Sequence, residues 1–153
     1  MELRELVKGA LIAGAGMIDR ALADLSEEEA AQRPHGLTPI VWQVGHLTVS
    51  EARMVHQLTG AELALPEKYK DLFEYGTSGE GPFPPLAEVR EYFTRGQQEL
   101  LKAADGDLSR AVDGGRLYST VAGALMFADR HRWYHIGKIM TLRGLLQKPR
   151  LLG

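Results

Sequence analysis

The chain has 153 residues, 44% of them hydrophobic, the size and composition of a single globular domain, here residues 1–153, with a core of its own. Its 18 basic and 20 acidic residues are spread along the sequence, so no broad cationic surface is available for nucleic-acid phosphates or anionic lipid, and neither partner is expected. Cysteine is absent, which excludes disulfides, thiolate ligands and a cysteine nucleophile and leaves His, Asp, Glu or water to hold any metal.

Lys8 and the apolar run from Gly9 to Ile18 loosely imitate a signal peptide. However, Glu2 and Glu5 stand where a basic segment belongs, and the run is broken by Gly9, Gly14 and Gly16. No run approaches the ~20 apolar residues of a membrane span. A cytoplasmic protein is the expectation.

Leu3, Leu6, Val7, Ala10, Leu11, Gly14, Met17, Ile18, Ala21, Leu22 and Leu25 recur at steps of three and four, which predicts a first long helix with one apolar stripe. Ser26 with Glu29 has the capping-box pattern, so 26–32 reads as a short helical turn ending before Pro34. Thr38-Pro39 predicts an N-cap with proline at the first helical position, opening a second long helix that Gly60 stops. Its stripe is Ile40, Val44, Leu47, Met54 and Leu58.

Residues 61–85 are rich in Pro, Gly and aromatics without a sustained period, and read as a long crossover holding at most a short helix. A connection of that length lets two consecutive helices run parallel. A third long helix is predicted over 85–104, with Leu86, Val89, Phe93, Gly96, Leu100 and Ala104 on one face. A fourth spans 118–146, with Val121, Ala124, Leu125, Ala128, Ile139, Leu142 and Leu145 facing the core. The fold class is all-α, a four-helix bundle with a long crossover between its second and third helices.

The chemistry concentrates in Asp129-Arg130-His131-Arg132-Trp133-Tyr134-His135. Residues four apart on a helix project from one face, so both imidazoles can reach one ion. Ala124, Ala128, His131, His135, Ile139 and Leu142 are linked by steps of three and four, which places both histidines on the core-facing stripe. They are either a metal pair or two core histidines satisfied by hydrogen bonds. In the second helix, within Trp42-Gln43-Val44-Gly45-His46-Leu47, His46 lies on the shoulder of the stripe, a position the helical wheel permits without demanding. His56 falls on the opposite side and His35 before the helix; both read as surface or loop residues.

The W-x-x-G-H-L segment from Trp42 to Leu47 and the H-x-x-x-H-x-G segment from His131 to Gly137, followed by Leu142-Arg143 and Pro149, resemble the DinB-like superfamily of small bacterial proteins, which is unrelated to the DNA polymerase of that name. The resemblance covers essentially the whole chain in helix order and loop lengths. It implies a four-helix bundle whose second and third helices run parallel, with a divalent metal, zinc or nickel by ligand chemistry, held by His46, His131 and His135 and with positions open to water or substrate. It also implies a homodimer. Members with known activity include transferases using low-molecular-weight thiols and a thiol-dependent isomerase. One departure is visible: members often carry glutamine where this chain has Lys138, and a cation bordering the site favours an anionic substrate.

Three functional readings follow, the first two with a small-molecule substrate. In the first, a metal-bound thiol is activated for transfer to an electrophile. In the second, the ion generates hydroxide for hydrolysis, with Glu51 or Asp129 as the nearest candidate bases, although both read better as solvated charges. The third is a non-catalytic bundle whose histidines bind metal adventitiously or merely pack, and which serves as a small-molecule binder or a protein partner. Here Arg130, Arg132 and Arg143 are ordinary solvated charges, and Gly9, Gly14 and Gly16 admit a close helix. Trp133 and Tyr134 read as packing against a neighbouring helix or a dimer partner, not as a substrate wall.

Overall fold

The computed structural model describes residues 2–151. Six α-helices follow one another: α1 (Leu3–Leu22), α2 (Glu27–Ala31), α3 (Ile40–Thr59), α4 (Lys68–Phe73), α5 (Leu86–Ala103) and α6 (Val121–Leu145). Among the described residues there is no strand, only an isolated bridge between Ala111 and Thr120. No helix of the described residues is long and apolar enough to cross a membrane.

The helix boundaries follow local chemistry. Ser26 and Glu29 form the expected reciprocal capping box on α2. Gly60 adopts the left-handed conformation and returns its N–H to the His56 carbonyl, ending α3. Thr120 caps α6 through its hydroxyl. One expectation is corrected: Pro39, not Thr38, is the N-cap of α3. The Thr38 hydroxyl instead accepts a 2.7 Å hydrogen bond from the Gln43 side-chain amide. The N-terminus of α5 is held from a distance, because the Glu27 carboxylate accepts from the Leu86 and Ala87 backbone amides.

The bundle topology is recorded in its two core clusters. One gathers Ile18, Ala21 and Leu22 of α1, Ile40, Val44 and Leu47 of α3, Leu86, Val89 and Phe93 of α5, and Ile136, Ile139 and Leu142 of α6. The other gathers Val7 and Leu11, Met54, Val55 and Leu58, Leu100, and Val121, Ala124 and Leu125. The N-terminal halves of α3 and α5 therefore share one end of the bundle with the C-terminal halves of α1 and α6. So α3 and α5 run parallel, as the crossover allows, and α1 and α6 run parallel to each other in the opposite sense. Leu3, Leu6 and Leu145, which sit on the predicted stripes, fall at the helix ends and are exposed.

Several charges read as solvated are buried. Arg132 is 0% exposed. Its Nε and Nη2 donate to the two Glu51 carboxylate oxygens at 2.6 and 2.7 Å, and its Nη1 donates to the Leu11 carbonyl at 2.8 Å. Its guanidinium also lies 5.2 Å from the Phe93 ring centroid. Burial pushes the Glu51 carboxyl upward and Arg132 pulls it back. Arg143 donates to the Ala21 carbonyl and to Asp24 on the α1 side, and to the Pro149 carbonyl of the tail. Asp129 is buried against Gly14 of α1, where any Cβ would stand 3.1 Å from its Oδ1. Arg132 with Glu51, and Arg143 with Asp24 and backbone carbonyls, are paired across elements, which hydrophobic periodicity cannot reveal, whereas Asp129 Oδ1 and Arg143 Nε find no hydrogen-bond partner among the described residues. Arg130 is exposed, as expected, and the Cβ positions of Gly9 and Gly16 are open.

Arg132→Met strands a buried carboxylate and is expected to cost about 3–5 kcal/mol, read from the midpoint of urea unfolding. The double variant Glu51→Leu/Arg132→Met is expected to be more stable than Arg132→Met alone. Equal losses in the two would show that the pairing itself contributes nothing.

Candidate metal centre

The α3–α6 interface brings His46, His131 and His135 together, each offering one nitrogen, with all three within 4.8 Å of one another. Their ring centroids are 4.7–5.2 Å apart: 5.2 Å for His46 and His131, 5.0 Å for His46 and His135, and 4.7 Å for His131 and His135. His46 and His135 are buried and His131 is half-buried. His35 and His56 are exposed and remain outside the group.

Two of the rings are held in a defined tautomer. His46 Nδ1 lies 2.8 Å from the Phe73 carbonyl, which can only accept, so this nitrogen carries the proton and Nε2 keeps its lone pair. His135 Nδ1 lies 2.7 Å from Gln43 Oε1. The orientation of that amide follows from its other end, where Nε2 donates to the hydroxyl and the carbonyl of Thr38. His135 therefore also presents a bare Nε2, placed 3.1 Å from His131 Nε2. Nitrogens this close share either a proton or an ion. Such Nδ1–H tethers are what orients imidazole ligands on a metal, so the residues present fit a divalent ion.

Each position of the W-x-x-G-H-L segment now has a physical reason. The Trp42 ring stacks on His46 at 5.0 Å and 7°, and its Nε1 donates to Thr77 Oγ1 at 2.8 Å. Gly45 makes room for Phe73, whose ring atoms would lie 2.4–2.5 Å from any Cβ there. Leu47 enters the core. The crossover is thus drawn onto α3 through α4, and this docking delivers the Phe73 carbonyl to His46.

Burial holds all three imidazoles neutral. It depresses His135 to about 3 and His131 to about 4, with smaller repulsions from neighbouring histidines and from Lys138. Burial also lowers His46, partly countered by its hydrogen bond to Phe73. Neutral imidazole is the ligating form.

A cleft of about 420 Å³ opens on His46 and His131. Its apolar wall includes Met54, Tyr118 and Phe127; Phe127 stacks on His131 at 5.9 Å, and Tyr118 lies 5.6 Å from Phe127. Tyr118 is fixed by donating to Gln57 Oε1. Among the described residues, the one carboxylate lining this cleft is Glu51, already bound to Arg132. Trp133 and Tyr134 do not enter the protein's own core: both are exposed, and the Tyr134 ring meets His135 edge-on at 5.1 Å.

The family profile of the DinB superfamily matches residues 10–139. The chain belongs to the DinB superfamily. The fold agrees: a crystal structure described as a conserved protein of locus from Enterococcus faecalis superposes with a TM-score of 0.77 at 17% identity, covering 96% of this chain and 98% of that one. No curated protein matches the sequence. Within this DinB-superfamily chain, sequence reasoning missed Gln43, Thr38, Phe73 and the Tyr118–Phe127 wall. Gln43 carried a weak signal, a polar residue one turn before Leu47 on an otherwise apolar helix. The Phe73 contact runs through a backbone carbonyl and leaves no side-chain signature.

Gln43→Ala releases the His135 ring and is expected to weaken zinc or nickel binding about 10–100-fold, measured by competition with a chromophoric chelator; an unchanged affinity would show that the amide does not orient the ligand. The depressed histidines also set a pH dependence. The unfolded chain binds protons near the ordinary value of 6.5, whereas the folded metal-free protein resists them until about pH 4 and 3. Stability of the metal-free protein is therefore full above pH 6.5 and falls as the pH drops from there toward 3–4. His131→Gln/His135→Gln is expected to flatten that part of the profile in thermal melts.

Proposed function

We propose that this protein is a metal-dependent transferase that joins a low-molecular-weight thiol to a small electrophile at His46, His131 and His135. The observation that carries this reading is a neutral three-nitrogen centre beside a cleft whose lining carboxylate, Glu51, is locked by Arg132. Three imidazoles leave at least one coordination position free, the pattern of catalytic and not of closed structural sites. Zinc or nickel suits such a donor set. When bound, the divalent ion would lower the pKa of a coordinating thiol so that thiolate is present at neutral pH.

The protein's own residues then have distinct tasks. Phe73 and Gln43 hold His46 and His135 with their Nε2 atoms toward the reacting centre. The Met54, Tyr118 and Phe127 wall receives the apolar body of the electrophile and keeps it beside His131. The thiol proton passes to solvent. A carbon–sulfur bond forms as the bond from that carbon to halide or epoxide oxygen breaks, the leaving atom taking the electron pair. No protein base is required.

Hydrolysis is less well supported, because a hydroxide mechanism needs a carboxylate free to accept a proton. Glu51 is committed to Arg132, and Asp129 faces α1.

Incubation of the zinc- or nickel-loaded protein with bacterial thiols and a panel of epoxides and alkyl halides is expected to yield thioether product faster than His135→Ala or chelator-treated protein does. Equal rates across the three preparations would remove the transferase reading. Metal-dependent turnover confined to ester, amide or phosphate substrates would replace it with hydrolysis.

A further inference from the structure

The turn of α6 that supplies His135 also carries an unneutralised cation beside the centre. Lys138 lies three residues beyond His135, and helical side chains lean toward the helix N-terminus, so its stem runs back over the preceding turn. Its Nζ rests 4.6 Å above the Tyr134 ring centroid, and that ring in turn meets His135 edge-on at 5.1 Å. The aromatic face thus holds the ammonium near the histidines without supplying a countercharge.

Among the described residues, Lys138 forms no ion pair within 4.0 Å. Of the other cations around the centre, Arg53 is matched by Glu74 at 2.6 Å and Arg132 by Glu51, while Arg130 lies on the cleft side, 6.0 Å over the Phe127 ring. Lys138 also borders a small hollow of about 150 Å³ with Thr38 and Gln43, the two residues that hold His135 from behind. Its positive field reaches His46, His131 and His135 alike.

The surroundings of the centre therefore differ in chemistry from one side to the other. The His46 and His131 side is the aromatic cleft, suited to an apolar electrophile. The His135 side presents an exposed aromatic ring and a free ammonium, suited to a polar, acidic molecule. Building on the thiol reading above, we infer that Lys138, held over Tyr134, docks a carboxylate carried by the thiol co-substrate, so that its sulfur reaches the histidines while its acidic tail lies along the outer turn of α6.

The test uses the full-length protein loaded with cobalt(II) and a rigid pair of probes, 4-mercaptobenzoate and 4-mercaptobenzamide, whose para geometry keeps the second group off the ion. Affinity is read from the sulfur-to-cobalt charge-transfer band. Lys138→Met is expected to reduce the benzoate-to-benzamide affinity ratio by about fivefold, the scale of an exposed charge pair, any effect of its field on the bound sulfur being common to both thiols. Lys138→Arg is expected to keep the ratio, and high salt to shrink it in the wild type. Comparing ratios between variants cancels the difference in intrinsic thiol acidity. Bands with a ratio unaltered by Lys138→Met would overturn the Lys138 inference alone. Absence of the band with either thiol would overturn the thiol reading and this inference with it.

Discussion

The ion pair between Glu51 and Arg132 sets the register on which the centre depends. It spans α3 and α6 inside the bundle and, through the Leu11 carbonyl, reaches α1 as well. Glu51 is five residues beyond His46, and Arg132 is adjacent to His131 and three before His135. A bidentate guanidinium–carboxylate contact tolerates little sliding or rotation. Once it forms, α6 can meet α3 at only one height, the height at which the three imidazoles face each other. Two apolar side chains in its place would bury as well and would leave that height less sharply defined.

Around this register, the protein separates positioning from chemistry. Backbone and amide oxygens, supplied by Phe73 and Gln43, take the Nδ1 protons and fix the direction of the Nε2 lone pairs. Burial keeps the rings uncharged, so no proton has to be displaced near neutral pH. Carboxylates that might act as bases are turned to structural work. A centre arranged in this way suits a reaction whose nucleophile arrives with the ligand and is not made from water.

Much of this was legible in the sequence. Helix stripes, Gly60, the Ser26–Glu29 box and the crossover were readable because each rests on local periodicity or capping chemistry. His131 and His135 were placed by their spacing together with the core-facing stripe, whereas His46 needed the family resemblance, since its shoulder position on the wheel was ambiguous. Arg132, Arg143 and Glu51 were misread because a charge compensated by another element looks identical, in one dimension, to a charge in water, and Asp129 because nothing in the sequence marks its burial against Gly14 of α1. Tyr134, read as packing against a neighbouring helix or a dimer partner, is exposed and borders His135. The Thr38–Gln43–His135 chain was hidden for a related reason, as its first link replaces a conventional helix cap.

The contact between Gly45 and Phe73 carries a further consequence. Residues 61–85 were the least patterned part of the chain, yet the third candidate ligand is completed from within them, because His46 has its tautomer set by the Phe73 carbonyl. His131 and His135 are neighbours on one helix and can engage an ion as soon as that helix exists. His46 joins in its committed form only after the long connection has closed over α3. Tight capture of an ion by the three histidines would thus be coupled to completion of the slowest kind of contact to form, one distant in sequence, and the half-folded protein would offer a metal only a two-toothed grip.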